Sequence, residues 1–438
     1  DNGISAKGLA LNDGSGLSHD DRSSARMLAE LTRVMMNKPV GAAWLRTMSI
    51  AGVDGTFRGR LRGDDTLGRV FLKSGTLRDV IGSSGVLVNR YDGRSYVFSI
   101  LLNDVGKRGG RAAADAIVAS FARDLLGAGT PPPAPTLTSV RQHGEQLAVR
   151  WTAVDGAEGY WLWQSVDGLV WKRDDAVFVG GTEAELSSSG KQFLRVSALT
   201  ASGESPASDV YGARLGAGKR ILLVDGADGW QAQPAKENPL GAAHAFVPRL
   251  SDGLAELPFD SCADEAVAQG EVELGAYALV VWTTGEDADP AEVLDPAQQK
   301  ALAAYLGNGG RVLLSGAQIA QAFATSTSDA DLSFVSQTLR VGLVADDAAT
   351  QSTGKGKGPF ASLAPLSFRA KGLAEVEAAD VLEAKGGASA CLYYAGSSKS
   401  AAGICSDDGH LVVLGFPLES LNTAADRAAL IGAVVATL

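Results

Sequence analysis

The chain has 438 residues, 45% hydrophobic and 20% charged, which suits two to four globular domains with apolar cores. A net charge of −11, with no dense Lys/Arg stripe carrying interleaved aromatics, argues against a nucleic-acid partner, and apolar runs such as Ala278–Trp282 and Leu411–Phe416 are too short to span a bilayer. Three cysteines without Cys-x-x-Cys and four scattered histidines (His19, His143, His244, His410) exclude a recognisable metal site, and no cofactor motif is present.

Charge is unevenly spread. Residues 1–127 hold 18 Lys/Arg against 13 Asp/Glu, a net of +5, while the remainder is strongly acidic. A basic leading module suits an anionic partner such as a cell-wall polymer, or is an ordinary difference between small domains. Asp1-Asn2-Gly3 shows no basic-then-apolar leader, so any leader of a secreted form is expected upstream.

Along the chain, a helix is expected over Ser23–Met36, with Asp20-Asp21 in cap position and a stop near Pro39. Strands follow at Arg69–Leu72, Gly85–Asn89 and Ser95–Leu102, the last two joined by the turn Arg90–Gly93. Arg111–Leu126 has the period of an amphipathic helix, with Ala114, Ile117, Val118, Phe121 and Leu125 on one face. Residues 128–135 form a stiff proline-rich linker. Between 136 and 214, short alternating runs (Gln146–Trp151, Gly159–Ser165, Ala176–Val179, Gln192–Leu199) separated by Asp-Gly and Ser-Gly turns predict an all-β sandwich. Trp151 belongs to its core; Trp161, Trp163 and Trp171 either line a carbohydrate surface or pack as ordinary sandwich residues.

From Lys219 to residue 438 strand and helix alternate. Arg220–Asp225, Ala278–Thr283, Gly310–Ser315 and His410–Phe416 have strand patterns, and Pro296–Leu306 and Gly316–Phe323 have helical ones, predicting an α/β doubly wound sheet. The proline-rich linker and Gly216-Ala-Gly218 are expected to separate three units with few shared core contacts. Cys391 and Cys405 flank a strand–turn–strand pattern centred near Ser398, which puts them directly opposite and within disulfide reach, leaving Cys262 free and buried.

Three blocks carry the chemistry: Asp13-Gly-Ser-Gly-Leu-Ser18, Ala51-Gly-Val-Asp-Gly-Thr56 and Lys73-Ser-Gly-Thr-Leu77. Their order and spacing, with the hairpin and closing helix behind them, resemble the C-terminal part of a penicillin-binding D-alanyl-D-alanine carboxypeptidase or endopeptidase domain, over residues 1–127. The resemblance implies a partial α+β penicillin-binding fold and a peptidoglycan stem peptide as partner, with β-lactams if the domain is complete. Lys73 would supply positive charge for the terminal carboxylate and for proton transfer. Ser74 would hydrogen-bond that carboxylate, Gly75 would keep the strand bare for a peptide laid alongside, and the Thr76 N–H would form half of an oxyanion hole. The family also needs Ser-x-x-Lys, which no segment ahead of Lys73 provides, so these residues are expected to be catalytically incomplete.

Trp151, Gly156-Ala157, Tyr160, Arg195–Ala198 and Gly203-Glu204-Ser205 resemble a fibronectin type III domain, although Gln192 stands at its corner-tyrosine position. Leu294–Gly316 is similar to flavodoxin-like domains related to class I glutamine amidotransferases, without their cysteine: the corresponding turn reads Leu313-Leu-Ser-Gly-Ala-Gln318. Ser315 has no histidine–acid pair at recognisable spacing, so a non-catalytic role is expected, with Asp225, Trp230, Thr283, Thr284 and Ser315 ringing the carboxyl ends of the strands. The combined expectation is a multidomain bacterial cell-envelope protein, periplasmic or extracellular, carrying part of a serine-type carboxypeptidase. The alternative is a non-catalytic envelope-binding or scaffold protein.

Overall fold

The computed structural model describes residues 3–437 except 39, 46, 64–65, 89–94, 127–131, 169, 172–174, 189, 201–202, 228–243, 287, 349, 351, 369–375 and 377. The expected hairpin turn at 90–93, the stop at Pro39, the first half of the proline-rich linker and Trp230 lie outside the described residues. The chain is a mixed α/β multidomain protein with large β-sheets, and among the described residues no helix is long and apolar enough to cross a membrane.

The leading region contains α1 (Ala25–Met36), α2 (Gly41–Leu45), β1 (Ser49–Ile50), β2 (Val70–Thr76), β3 (Ile81–Val88), β4 (Ser95–Leu102) and α3 (Lys107–Leu126). Its strands form an antiparallel sheet in the order β1-β2-β3-β4. Strand alternation splits its side chains between two cores. Val70, Leu72, Leu87, Phe98 and Ile100 pack with Ala114, Val118 and Ala122 of α3, whereas Phe71, Val86 and Val88 pack with Met36, Trp44 and Leu45. Two expectations need correction. The cap of α1 is Ser24, whose side chain accepts from the Met27 N–H at 3.1 Å, because Asp21 Oδ1 is taken by the Asn12 N–H at 2.6 Å. Phe121 and Leu125 are 42% and 39% exposed: the buried stripe is Ala114–Val118–Ala122, small residues four apart that let α3 lie close and turn the larger pair outward.

The sandwich consists of β5 (Leu137–His143), β6 (Gln146–Trp151), β7 (Ala157–Ser165), β8 (Val177–Val179), β9 (Glu183–Ser187), β10 (Lys191–Thr200), β11 (Gly203–Glu204) and β12 (Tyr211–Arg214). One sheet is β5-β6-β9 and the other β8-β7-β10-β12, with β11 paired to the end of β10. Trp151 is buried, edge-on to Tyr160 at 5.7 Å. The Arg195 guanidinium lies 5.3 Å from the Trp163 ring and 4.4 Å from that of Trp171, and burial pushes its pKa down to about 9. Trp163 and Trp171 are thereby occupied internally, and Trp161 packs against Phe178 at 4.9 Å, so the packing reading of these tryptophans is favoured over a flat carbohydrate platform.

The last region runs β13 (Ile221–Asp225), α4 (Phe246–Leu250), β14 (Phe259–Ala263), α5 (Asp264–Ala268), β15 (Leu279–Thr283), α6 (Pro290–Val293), α7 (Pro296–Gly307), β16 (Val312–Ser315), α8 (Ile319–Thr325), α9 (Asp329–Ser333), β17 (Val341–Ala345), β18 (Thr353–Gly356), β19 (Val381–Ala384), β20 (Ala388–Tyr394), β21 (Ala401–Ser406), β22 (Leu411–Leu414) and α10 (Ala424–Val435). Five strands are parallel in the order β14-β13-β15-β16-β22, so the direction of strand addition reverses between β13 and β15. Alternate residues face opposite cores, Leu223, Val281 and Leu313 on one side and Val224, Trp282 and Leu314 on the other. Antiparallel strands β17–β21 extend the sheet beyond β22. Cys391 and Cys405 form a disulfide with Cα atoms 5.7 Å apart, and Cys262 is free and buried. The register differs from the expected one: Cys405 faces Ser389, and the irregularity between Ala390 and Leu392 makes Cys391 an extra residue that bulges toward its partner.

The sandwich and the parallel sheet do not have the expected independence. β5 pairs antiparallel with β14 through Val140–Ser261 and Ser139–Cys262, and one core contains residues of both regions. The Ser261 hydroxyl bonds both the N–H and the carbonyl of Gly212, at 2.8 and 2.6 Å. Asp260 accepts from the Gln142 N–H, Arg220 and Tyr277 at 2.9, 2.9 and 3.0 Å.

Candidate functional site

The antiparallel hairpin places Lys73–Thr76 at the far end of β2. β3 pairs with β2 over its whole length, from Val70 against Leu87 to Thr76 against Ile81. On the other edge β1 covers only Phe71 and Leu72. Beyond Leu72 that edge has no strand partner among the described residues, so an added strand can pair with it once the Lys73 ammonium leaves the Ser74 carbonyl. Phe71 and Leu72, both fully buried, anchor the strand just before it emerges. A Cβ on Gly75 would meet nothing within 4 Å, so the chain itself leaves the space above it empty.

The hydroxyl of Thr56 lies 3.2 Å from that of Ser74. Thr56 is held there by the short 3-10 turn Gly55–Phe57: Phe57 is fully buried, and Asp54 Oδ1 accepts the Ile50 N–H at 2.7 Å. The second and third sequence blocks therefore meet side by side. Lys73 is exposed, and its ammonium donates to the Ser74 carbonyl. Thr76 Oγ1 is 3.5 Å from a guanidinium nitrogen of Arg111. The first block forms a turn of its own, Asp13 Oδ1 accepting from Ser15 and Gly16 at 2.9 and 2.7 Å. The next residue, His19, brings its Nδ1 to 3.9 Å from Asp79 in the β2–β3 turn.

A second cluster lies at the carboxyl ends of the parallel strands. Ser315 Oγ donates to the Phe416 carbonyl at 3.0 Å and accepts the Leu418 N–H at 2.7 Å, so its hydroxyl is committed to holding the chain after β22. The residue in the left-handed conformation between β16 and α8 is Gln318, with φ of 63°. A nucleophile elbow puts its reactive residue in such a strained turn, and the amide of Gln318 is not nucleophilic. Thr283 donates to Glu419 at 2.6 Å, and burial raises the Glu419 carboxyl above its usual range. Thr284 is fully buried. The structure brings together a histidine and two carboxylates that spacing along the chain concealed: His244 Nδ1 is 3.3 Å from Asp225 and 3.5 Å from Asp209. Its ring lies flat on Phe246 at 4.2 Å.

Residues 1–124 match the D-Ala-D-Ala carboxypeptidase 3 (S13) family. A D-alanyl-D-alanine carboxypeptidase of Actinomadura sp. (strain R39) is 35% identical over 88 residues, which cover 19% of this chain and 16% of that protein. The chain thus spans only about a sixth of the length of that relative. Among solved structures, penicillin binding protein 4 of Haemophilus influenzae, complexed with a β-lactam, is 26% identical over 28% of each chain, with a TM-score of 0.24. A Fn3-like protein from Clostridium thermocellum is 21% identical, covering 18% of this chain and 90% of its own, with a TM-score of 0.16.

The S13 segment takes in both blocks that meet at β2, and also Arg111. Sequence reasoning did not single out Arg111. The signal available was the pair Gly109-Gly110 directly before it: a Cβ at Gly110 would sit 2.7 Å from both Ile81 and Val105, so the start of α3 can approach β3 only with glycine there.

Proposed function

We propose that residues 1–127 supply the substrate-recognising strand of a serine-type D-alanyl-D-alanine carboxypeptidase that acts on peptidoglycan stem peptides in the bacterial cell envelope. The observation that carries this reading is the uncovered edge of β2 at Lys73–Thr76, beside the Thr56 hydroxyl and inside the segment matched by the S13 family. The peptide would add as a strand to this edge. Its terminal carboxylate would meet the Lys73 ammonium and the Ser74 hydroxyl, and Gly75 would offer no side chain to block it. The N–H of Thr76 would donate to the oxyanion formed as an acyl-serine is made. No Ser-x-x-Lys lies ahead of Lys73, so in this reading these 438 residues bind the peptide without cleaving it. Residues 136–214 would be a fibronectin type III-like unit, and 219–438 a flavodoxin-like, glutamine amidotransferase-like unit without catalysis, consistent with the committed hydroxyl of Ser315.

The test is calorimetric titration of the 438-residue chain with diacetyl-Lys-D-Ala-D-Ala and with its L-Ala-L-Ala counterpart. Binding of the D,D-peptide, weakened about tenfold or more in Lys73→Ala, is expected from the loss of one charge-assisted contact. A fluorescent penicillin should not label this chain covalently. Equal binding of both peptides, or indifference to Lys73→Ala, would sink the recognition reading. Covalent labelling would show that a nucleophile is present after all.

A further inference from the structure

The hydroxyls of Ser74 and Thr76, two residues apart on β2, share the face covered by α3, while Lys73 projects from the opposite one. Arg111 is a cation on the α3 side, 3.5 Å from Thr76 Oγ1. Its natural helical partner is Asp115, four residues on. Both oxygens of Asp115 are already taken by Arg60, whose Nε and Nη2 donate at 2.9 and 2.7 Å, while the Arg60 guanidinium sits 4.1 Å over the Phe57 ring. Arg111 therefore has no carboxylate partner among the described residues, and it is exposed.

The start of α3 is also wrong-signed for a helix: Arg108 stands in its first turn, Arg111 follows directly after it, and no acidic residue stands in the first turn. Cations at a helix N-terminus oppose the macrodipole. Such a local cost, with the neutralising acid held elsewhere, is what an anion-binding arrangement would look like before its ligand arrives. Gly110 fixes the approach of this helix end to Ile81, the residue paired with Thr76, and so fixes Arg111 beside the strand end.

We propose that Arg111 is a second cationic anchor for the terminal carboxylate of the peptide bound along β2, acting with the Thr76 and Ser74 hydroxyls from the face opposite Lys73. This rests on the reading of β2 given above and assigns the residue that distinguishes a free C-terminus from a blocked one. A planar guanidinium can donate two parallel hydrogen bonds to a carboxylate, which an ammonium cannot.

The experiment compares wild type, Lys73→Ala, Arg111→Gln and Arg111→Lys, all as the 438-residue chain, against diacetyl-Lys-D-Ala-D-Ala and its C-terminal carboxamide. Arg111→Gln should weaken the free-acid peptide about tenfold and leave the carboxamide unchanged, with Arg111→Lys intermediate. The Arg111 Nε–H resonance should shift on adding the acid and not on adding the amide. Equal weakening of both peptides, no weakening of either, or an unmoved resonance overturns the proposal. If Lys73→Ala weakens the acid and Arg111→Gln does not, this inference alone fails. If the wild type binds neither peptide, the β2 reading fails and this inference falls with it. Arg111 is exposed, so unchanged circular dichroism of Arg111→Gln is expected and separates lost binding from lost fold.

Discussion

Asp380→Asn should change how stability depends on pH, in a direction fixed by the structure. Asp380 is fully buried at the start of β19. Its Oδ2 accepts the Ala320 N–H at 2.6 Å and the Gln321 N–H at 3.4 Å, standing in for the side-chain cap that Gln318 does not give α8. Burial nevertheless dominates: the carboxyl is pushed from 3.8 up to about 7, with Asp346 adding to the rise and the two N–H bonds opposing it. Between those two values the folded chain holds a proton that the unfolded chain has lost. Stability from this group is therefore greatest below about pH 4 and declines as pH rises to about 7. About three pH units at 1.36 kcal/mol each gives a decline of about 4 kcal/mol. Asparagine has no proton to lose, so Asp380→Asn should lack this component, and its stability relative to wild type should improve by about 4 kcal/mol from pH 4 to pH 8. Urea unfolding followed by tryptophan fluorescence at several pH values measures the difference, in which titrating groups that do not interact with Asp380 cancel. Parallel stability–pH curves for the two proteins would refute the assignment of a raised pKa to this carboxyl.

Two further outcomes follow from the covalent and domain structure. Under denaturing, non-reducing conditions the chain should offer one alkylatable thiol, Cys262, and three after reduction; three before reduction would exclude the Cys391–Cys405 bond. Mild proteolysis should separate residues 1–126 from a fragment that begins near Leu137 and retains both sandwich and parallel sheet. Early cleavage at Gly216–Gly218 would contradict the pairing of β5 with β14.

The regular parts of this fold were legible because their side-chain periods are simple. The strands at 221–225, 279–283 and 312–315 are continuous apolar runs buried on both faces, and α7 announces itself with Asp295, Pro296 and Gln298 as a capping box. β14 was missed because Asp260 and Ser261 interrupt its apolar pattern. Their partners, Arg220, Tyr277, Gln142 and Gly212, come from other strands and from the neighbouring sandwich, so their burial cannot be read locally. The same holds at the candidate site. Lys73–Thr76 could be named from their order relative to two other blocks, but the contact of Thr56 with Ser74 and the diversion of Asp115 to Arg60 depend on residues 18 and 55 apart. The inner face of α3 was misjudged for a different reason: hydrophobicity favoured Phe121 and Leu125, whereas close packing selected the smaller Ala114 and Ala122.

The seam between β5 and β14 has a consequence for solubility. A strand at the border of a sheet is a template that recruits other chains, and proteins hide such borders with charge, proline, bulges or cover. Here two borders hide one another: Ser139 and Val140 close the side of β14 that β13 leaves open, and β14 does the same for β5. Every residue of β14 is buried, and its single charge, Asp260, is turned to Arg220 rather than to an open border. A fragment ending at Arg214, or one starting at Ile221, would lose its mutual cover and acquire an adhesive flank, so each half made alone would be prone to self-association and precipitation. The two regions act as each other's anti-aggregation shield, whatever either one binds.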